Sequence, residues 1–196
     1  MDRPAGGQFT SRMTGTSTAP TAGVAEAGAF ELTRGASLLA ATITMGLMAG
    51  LFFAWAQGVM TGLHRSSDRT FVEAMQQMNA AILNGWFALA FGGALVLTAL
   101  AGLLHLGAGT RSVLPWIIAA FVLYVLVLAI TFAVNVPLND QLEAAGPVDR
   151  IADLAGVRAR FETTWVRWNI VRAVLNAGAF GCLGWALVLH GRLTNR

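Results

Sequence analysis

Polar residues fall along this chain in blocks rather than in alternation. Four long apolar runs stand between the blocks, at about Ala36 to Met60, Gly85 to Leu106, Val113 to Val134 and Ala173 to Gly191. A hydrocarbon core of about 30 Å is crossed by roughly 20 helical residues, so each run is long enough to span a bilayer. None has the two-residue period of a membrane β-strand. The pattern predicts an all-α membrane protein, a four-transmembrane-helix bundle occupying residues 34–194. Residues 1–33 are rich in Thr, Ser, Gly and Ala. They carry too little apolar mass to fold and no block long enough for a secretory h-region, and are expected to form a disordered tail.

The polar blocks also predict structure. Thr70-Phe71-Val72-Glu73 has the spacing of a capping box, so a helix is expected to start there and run through MQQMNAAILN into the second span. After GPVDR, the residues Leu154, Val157, Phe161, Trp165 and Trp168 recur at helical spacing. They predict an amphipathic interfacial helix between spans three and four, lying along the membrane surface or capping the bundle. GAGTRS (107–112) reads as a tight turn.

Composition narrows the function classes. Hydrophobic residues make up 56% of the chain and charged ones 12%, about half the charge of a soluble domain. All 13 basic residues are arginines, but the net charge is +3 and scattered, which excludes a nucleic-acid footprint. A lone Cys182 provides no disulfide framework and no CxxC site. His105 and His190 offer a pair without a third ligand, so no metal and no cofactor is expected. Gly46, Gly50, Ala54 and Gly58 place a small residue at every fourth position of span one. Such a ridge permits close helix packing, within the bundle or in a homo-oligomer.

Up-and-down connectivity brings one set of span ends to the same side of the membrane. Those ends hold Gln57, Asn79, Asn84, Asn135, Asn139, Asn169, Arg172 and Asn176. On the last helix, Trp165, Asn169, Arg172 and Asn176 are spaced i, i+4, i+7 and i+11 and share a face. Unpaired amides are costly in lipid, and polar residues within spans face the bundle interior or a wet cavity. These residues either cap and bridge helices or line a polar pocket. In the pocket reading, Pro137 of NVPLNDQL (135–142) stops span three and turns the backbone over the mouth. The opposite end carries only His105, Arg111, His190 and Arg192, placed as interface anchors.

GLFFAWAQGVMTGL, DRTFVEAMQQMNAAILNGWF, NVPLNDQL and WVRWNIVR occur in this order and at these spacings. Together they resemble the anthrone oxygenase-like family of integral membrane proteins, over residues ~37 to 190. The family pattern has proline where this chain has Thr61 and Gly85, so two helix-entry prolines are missing while the polar positions are kept. The resemblance implies oxidation of an anthrone-like aromatic with dioxygen and no added cofactor. The methylene opposite an anthrone carbonyl is acidic, and its anion reacts with oxygen directly. The protein would bind a flat ring, stabilise an oxyanion and take a proton. On this reading Arg172 and Asn169 serve the oxyanion, Trp165 and Trp168 the rings, and His64 is the base. Gln57, Asn79, Asn84, Asn135, Asn139 and Asn176 bind the substrate.

The competing reading is a non-catalytic membrane accessory or lipid or small-molecule binding protein. A haem or copper protein and a transporter are less well supported, the latter because neither an inverted repeat nor an intramembrane acid is present. The arginines divide six to seven between the two sides. The basic tight turn at Arg111 tips the expectation to cytoplasmic termini in a multi-pass cell-membrane protein.

Overall fold

The structure, a computed structural model, describes residues 19–194. Every regular element among them is helical. Helix α1 (Ala19–Ala54) passes through a π turn (Trp55–Val59) into the short α2 (Met60–His64). Then come α3 (Asp68–Ala81) and α4 (Gly85–Leu104). Helix α5 (Leu114–Ile130) is joined by a second π turn (Thr131–Asn135) to α6 (Val136–Ala144). The long α7 (Leu154–Thr194) closes the fold. Four continuous helical stretches are long and apolar enough to cross a membrane: Ala25–His64, Gly85–Leu104, Leu114–Ala144 and Leu154–Thr194. The expected four-span bundle is therefore present.

Helix α1 packs against α7 on one side and α4 on the other, and α5 lies against α7. The remaining seam, between α4 and α5, is sparsely packed. The core between these helices holds Leu38, Met45, Met48, Ile117, Tyr124 and Leu183, all essentially without exposure. Tyr124 satisfies its hydroxyl by donating to the Phe91 carbonyl at 2.7 Å, as a buried phenol must. Gly46 serves packing inside the bundle, since a Cβ there would lie 2.9 Å from the Phe180 ring. Gly50, Ala54 and Gly58 of the same ridge face outward.

A second, smaller core extends the bundle at the end shared by α2, α3 and α6. It contains Met60, Phe71, Val72, Met75, Leu142, Phe161 and Trp165. This core explains the fate of the amphipathic stripe. The expected helix exists, but it continues into span four without a break as one 41-residue helix. That helix is roughly 60 Å long at 1.5 Å per residue, about twice the hydrocarbon thickness. Leu154, Val157, Phe161 and Trp165 pack into the small core, so protein covers the stripe that an interfacial helix would turn to lipid. Arg158 anchors the extension: its guanidinium donates to the Ser66 and His64 carbonyls at 2.9 and 2.8 Å and to Asp68 at 3.0 Å.

Several local expectations are corrected. The helix expected from Thr70 starts earlier, because Ser67 Oγ accepts the Thr70 N–H at 3.2 Å and is the N-cap. It does not run into span two. Asn84 begins a new helix by accepting the Phe87 N–H at 3.1 Å. Pro137 does not stop span three: the helix continues to Ala144. In a regular helix the proline ring would strike the carbonyl four residues back. The preceding π turn, in which the Val136 N–H bonds Thr131 O, widens the backbone just there. Residues 1–18 of the expected tail lie outside the described residues, and residues 19–33 form the first turns of α1 rather than irregular chain.

Candidate functional site

Both π turns lie at one end of the bundle, beside a cavity of about 780 Å³. An extra residue in a helical turn re-aims the side chains on either side and loosens the carbonyl ladder, and such turns recur at functional sites. Around the second one, Thr131, Asn135, Asn139 and Glu143 line the cavity in a stripe at four-residue spacing. Phe52 and Trp55 line it from the first π turn and the helix leading into it. From α7 come Trp165, Asn169 and Arg172, on the face their spacing predicts.

Arg172 is the centre of this arrangement. It is 5% exposed. One terminal nitrogen donates to Thr131 Oγ1 at 3.2 Å and the other to Asn169 Oδ1 at 3.1 Å. The guanidinium carbon stands 4.5 Å from the Phe52 ring centre and 5.6 Å from that of Trp165, within cation–π range. Its Nε is buried without a partner. Among the described residues no carboxylate pairs with it: the ion pairs involve Arg34, His64, Arg69 and Arg158. A buried cation is normally paired, and here only neutral groups and aromatic faces hold it.

The surrounding amides divide by what they do. Asn169 is fully buried, donates to the Phe52 carbonyl at 3.3 Å and spends its oxygen on Arg172. It therefore orients the guanidinium. Asn135 donates to the Trp165 carbonyl at 3.3 Å and keeps a buried, unpartnered Oδ1. Asn139 accepts the Trp165 indole N–H at 2.8 Å, fixing that ring against the wall. Asn79 lines the cavity with an unpartnered Nδ2. Asn84 also lines it, but its amide is used on the backbone of Ala81 and Phe87. Asn176 sits one turn deeper than Arg172, outside the lining, and donates to the Arg172 carbonyl at 2.9 Å.

Besides Asn176, three residues expected at the site lie outside the cavity lining. Gln57 is on the exposed side of the first π turn, and Trp168 is half-buried away from the cavity. His64 is on the outer surface, 2.7 Å from Glu162 Oε1. The acids that do line the cavity are Asp140 and Glu143. Both are exposed, and both lie on α6, beyond the second π turn. The lining residues missed from the sequence include five aromatics, Phe52, Trp55, Phe87, Phe91 and Phe132. Nothing separates such residues from ordinary span residues in a string of letters. The Thr131–Asn135–Asn139–Glu143 stripe was readable, but only to a reader who let the helix continue through Pro137.

The family model described as anthrone oxygenase matches residues 84–182, which takes in α4, α5, α6 and most of α7. Searches of curated proteins and of solved structures return no match.

Proposed function

The chain belongs to the anthrone oxygenase family, and from that premise we propose that it oxidises a flat, lipophilic aromatic carrying an acidic methylene, with dioxygen, in the Arg172 cavity. The observation that carries this reading is a buried guanidinium with no carboxylate partner among the described residues, facing an aromatic-walled space of about 780 Å³. That volume is within the ~300–1,000 Å³ range of small-molecule sites. An anion formed from the substrate would be the missing partner.

The chemistry balances without a further reactant. The methylene loses a proton, and the carbonyl opposite it becomes an oxyanion. The ring anion passes one electron to dioxygen, and the resulting superoxide joins the carbon radical as a peroxide anion, which takes back a proton to become a hydroperoxide. Loss of water leaves a second carbonyl, so anthrone and dioxygen give anthraquinone and water. Arg172 stabilises the oxyanion, and that stabilisation is strong because donors aimed at a developing charge act in a water-poor site. Asn169 and Thr131 hold the guanidinium in place, and Phe52 and Trp165 offer ring faces. Asp140 and Glu143 lie roughly 13 and 18 Å along the helix from Thr131, at 1.5 Å per residue. This is farther than the single ring that separates carbonyl from methylene. They would receive the proton through water rather than by direct contact.

The absence of a titratable side chain among the lining residues at the depth of Arg172 favours a second reading, a binding protein for the same class of molecule without turnover. Oxygen-electrode measurements on the full chain in liposomes, supplied with an anthrone, separate the two. Oxygen uptake that yields the anthraquinone and disappears in Arg172→Ala supports the oxygenase. Saturable anthrone binding without uptake supports the binder.

A further inference from the structure

The cavity has a side as well as an end. Helix α4 packs along α1 and meets α5 only sparsely, and it has no substantial packing against the second π turn or α6. The cavity lies in that gap. Several of its lining residues are exposed: Ala88 and Gly92 from α4, and Phe132, at 63%, from the π turn. A Cβ placed on Gly92 would meet nothing within 4 Å. All three residues belong to stretches apolar enough to lie in a membrane, so an opening between α4 and the π turn would face hydrocarbon.

The seam is apolar and flat-walled. Phe87 and Phe91 stack at 5.0 Å with an 18° interplanar angle. Phe91 meets Tyr124 and Phe132 edge-on at 6.1 and 6.4 Å, forming a sill below the gap. No charged side chain stands between this opening and Arg172, whereas the polar end of the cavity carries Asp140 and Glu143. A planar, sparingly soluble molecule is concentrated in the bilayer, and stacked aromatic walls complement its faces.

We infer that the α4–α5 seam is a lateral entrance through which a planar lipophilic molecule passes from the bilayer into the Arg172 cavity. This rests on reading the cavity as the site for such a molecule, but its test needs no turnover. Val136 lines the cavity at the second π turn, and Cys182 is the one native thiol. In liposomes holding the full chain with Cys182→Ser and Val136→Cys, a bilayer-partitioning flat reagent, N-pyrenylmaleimide, should label Val136→Cys from the lipid. Adding Gly92→Trp should slow labelling by ~10-fold or more, because access limits the rate. Ala80→Trp, at the polar mouth, should leave that rate within about twofold and instead slow a sulfonated, water-soluble thiol reagent. Where Gly92→Trp does not fold, Ala88→Trp fills the same gap. Unchanged pyrene labelling in both seam variants, or its loss in Ala80→Trp, overturns the entrance. Oxygen uptake plays no part in that outcome, so an inactive protein with seam-dependent labelling would sink the oxygenase reading alone.

Discussion

Two buried polar clusters lie at opposite ends of the same bundle, and the cavity of about 780 Å³ adjoins one of them. At the end that holds Arg34 and the α7 C-terminus, His105 and His190 are buried side by side. His105 Nδ1 donates to the Ala101 carbonyl at 2.7 Å, which leaves its Nε2 to accept from His190 Nδ1 at 3.3 Å. Thr110 donates to the His105 carbonyl at 2.6 Å, and Arg34 closes over the Leu104 carbonyl at 2.6 Å. A Cβ on Gly35 would lie 3.3 Å from His190 Nε2, so the helices meet tightly there. At the other end, Arg172, Asn135 and Asn79 keep unpartnered polar atoms, and about 780 Å³ of space adjoins them. Buried polarity alone thus does not mark a site. Donors and acceptors left over next to volume do, because only they have free energy to gain from a ligand.

The difference can be tested from its strongest consequence downward. Arg172→Ala should lower anthrone-dependent oxygen uptake by at least ~100-fold, the scale of losing one oxyanion donor. Circular dichroism should show the helices intact. Arg172→Lys should recover only part of the loss, since the ammonium cannot hold Thr131 and Asn169 together as the fork does. Trp165→Phe keeps a ring over Arg172 but breaks the indole bond to Asn139. Uptake should fall by ~5-fold, mainly through KM, because one hydrogen bond is worth about 1 kcal/mol; a loss confined to kcat would mean the ring does more than bind.

The closed end should respond in stability instead. His190→Phe removes the partner of a fully buried His105 Nε2 and should lower unfolding stability in detergent by ~1–3 kcal/mol, read from denaturant midpoints. Turnover per folded molecule should be unchanged; a loss of turnover with stability intact would make the two ends functionally linked. His64→Ala should have the smallest effect. Its contact with Glu162 is at the surface, its side chain 74% exposed, and such pairs contribute less than ~1 kcal/mol. Uptake should stay within about twofold of the wild type, whereas a collapse would restore His64 as the base.

Part of this architecture is governed by local chemistry and can be read from the letters alone. Runs of apolar residues as long as a bilayer is thick can only be helices there, since every backbone polar group must be satisfied within the segment. The four spans and the shared face of Trp165, Asn169 and Arg172 follow from that rule and from helical periodicity. So does the gathering of Asn79, Asn84, Asn135 and Asn139 at one end. The rest depends on how the helices pack. Whether Pro137 ends a helix depends on a π turn that absorbs its ring, and whether the 154–165 stripe meets lipid or protein depends on α3 and α6 being there to cover it. The sequence cannot distinguish His64 on a surface from Glu143 on a cavity wall, for both are polar residues just past a span. Which of them borders the empty space is settled by how far apart α4 and α5 stand, a distance fixed by packing across the whole bundle and written in no single stretch of the chain.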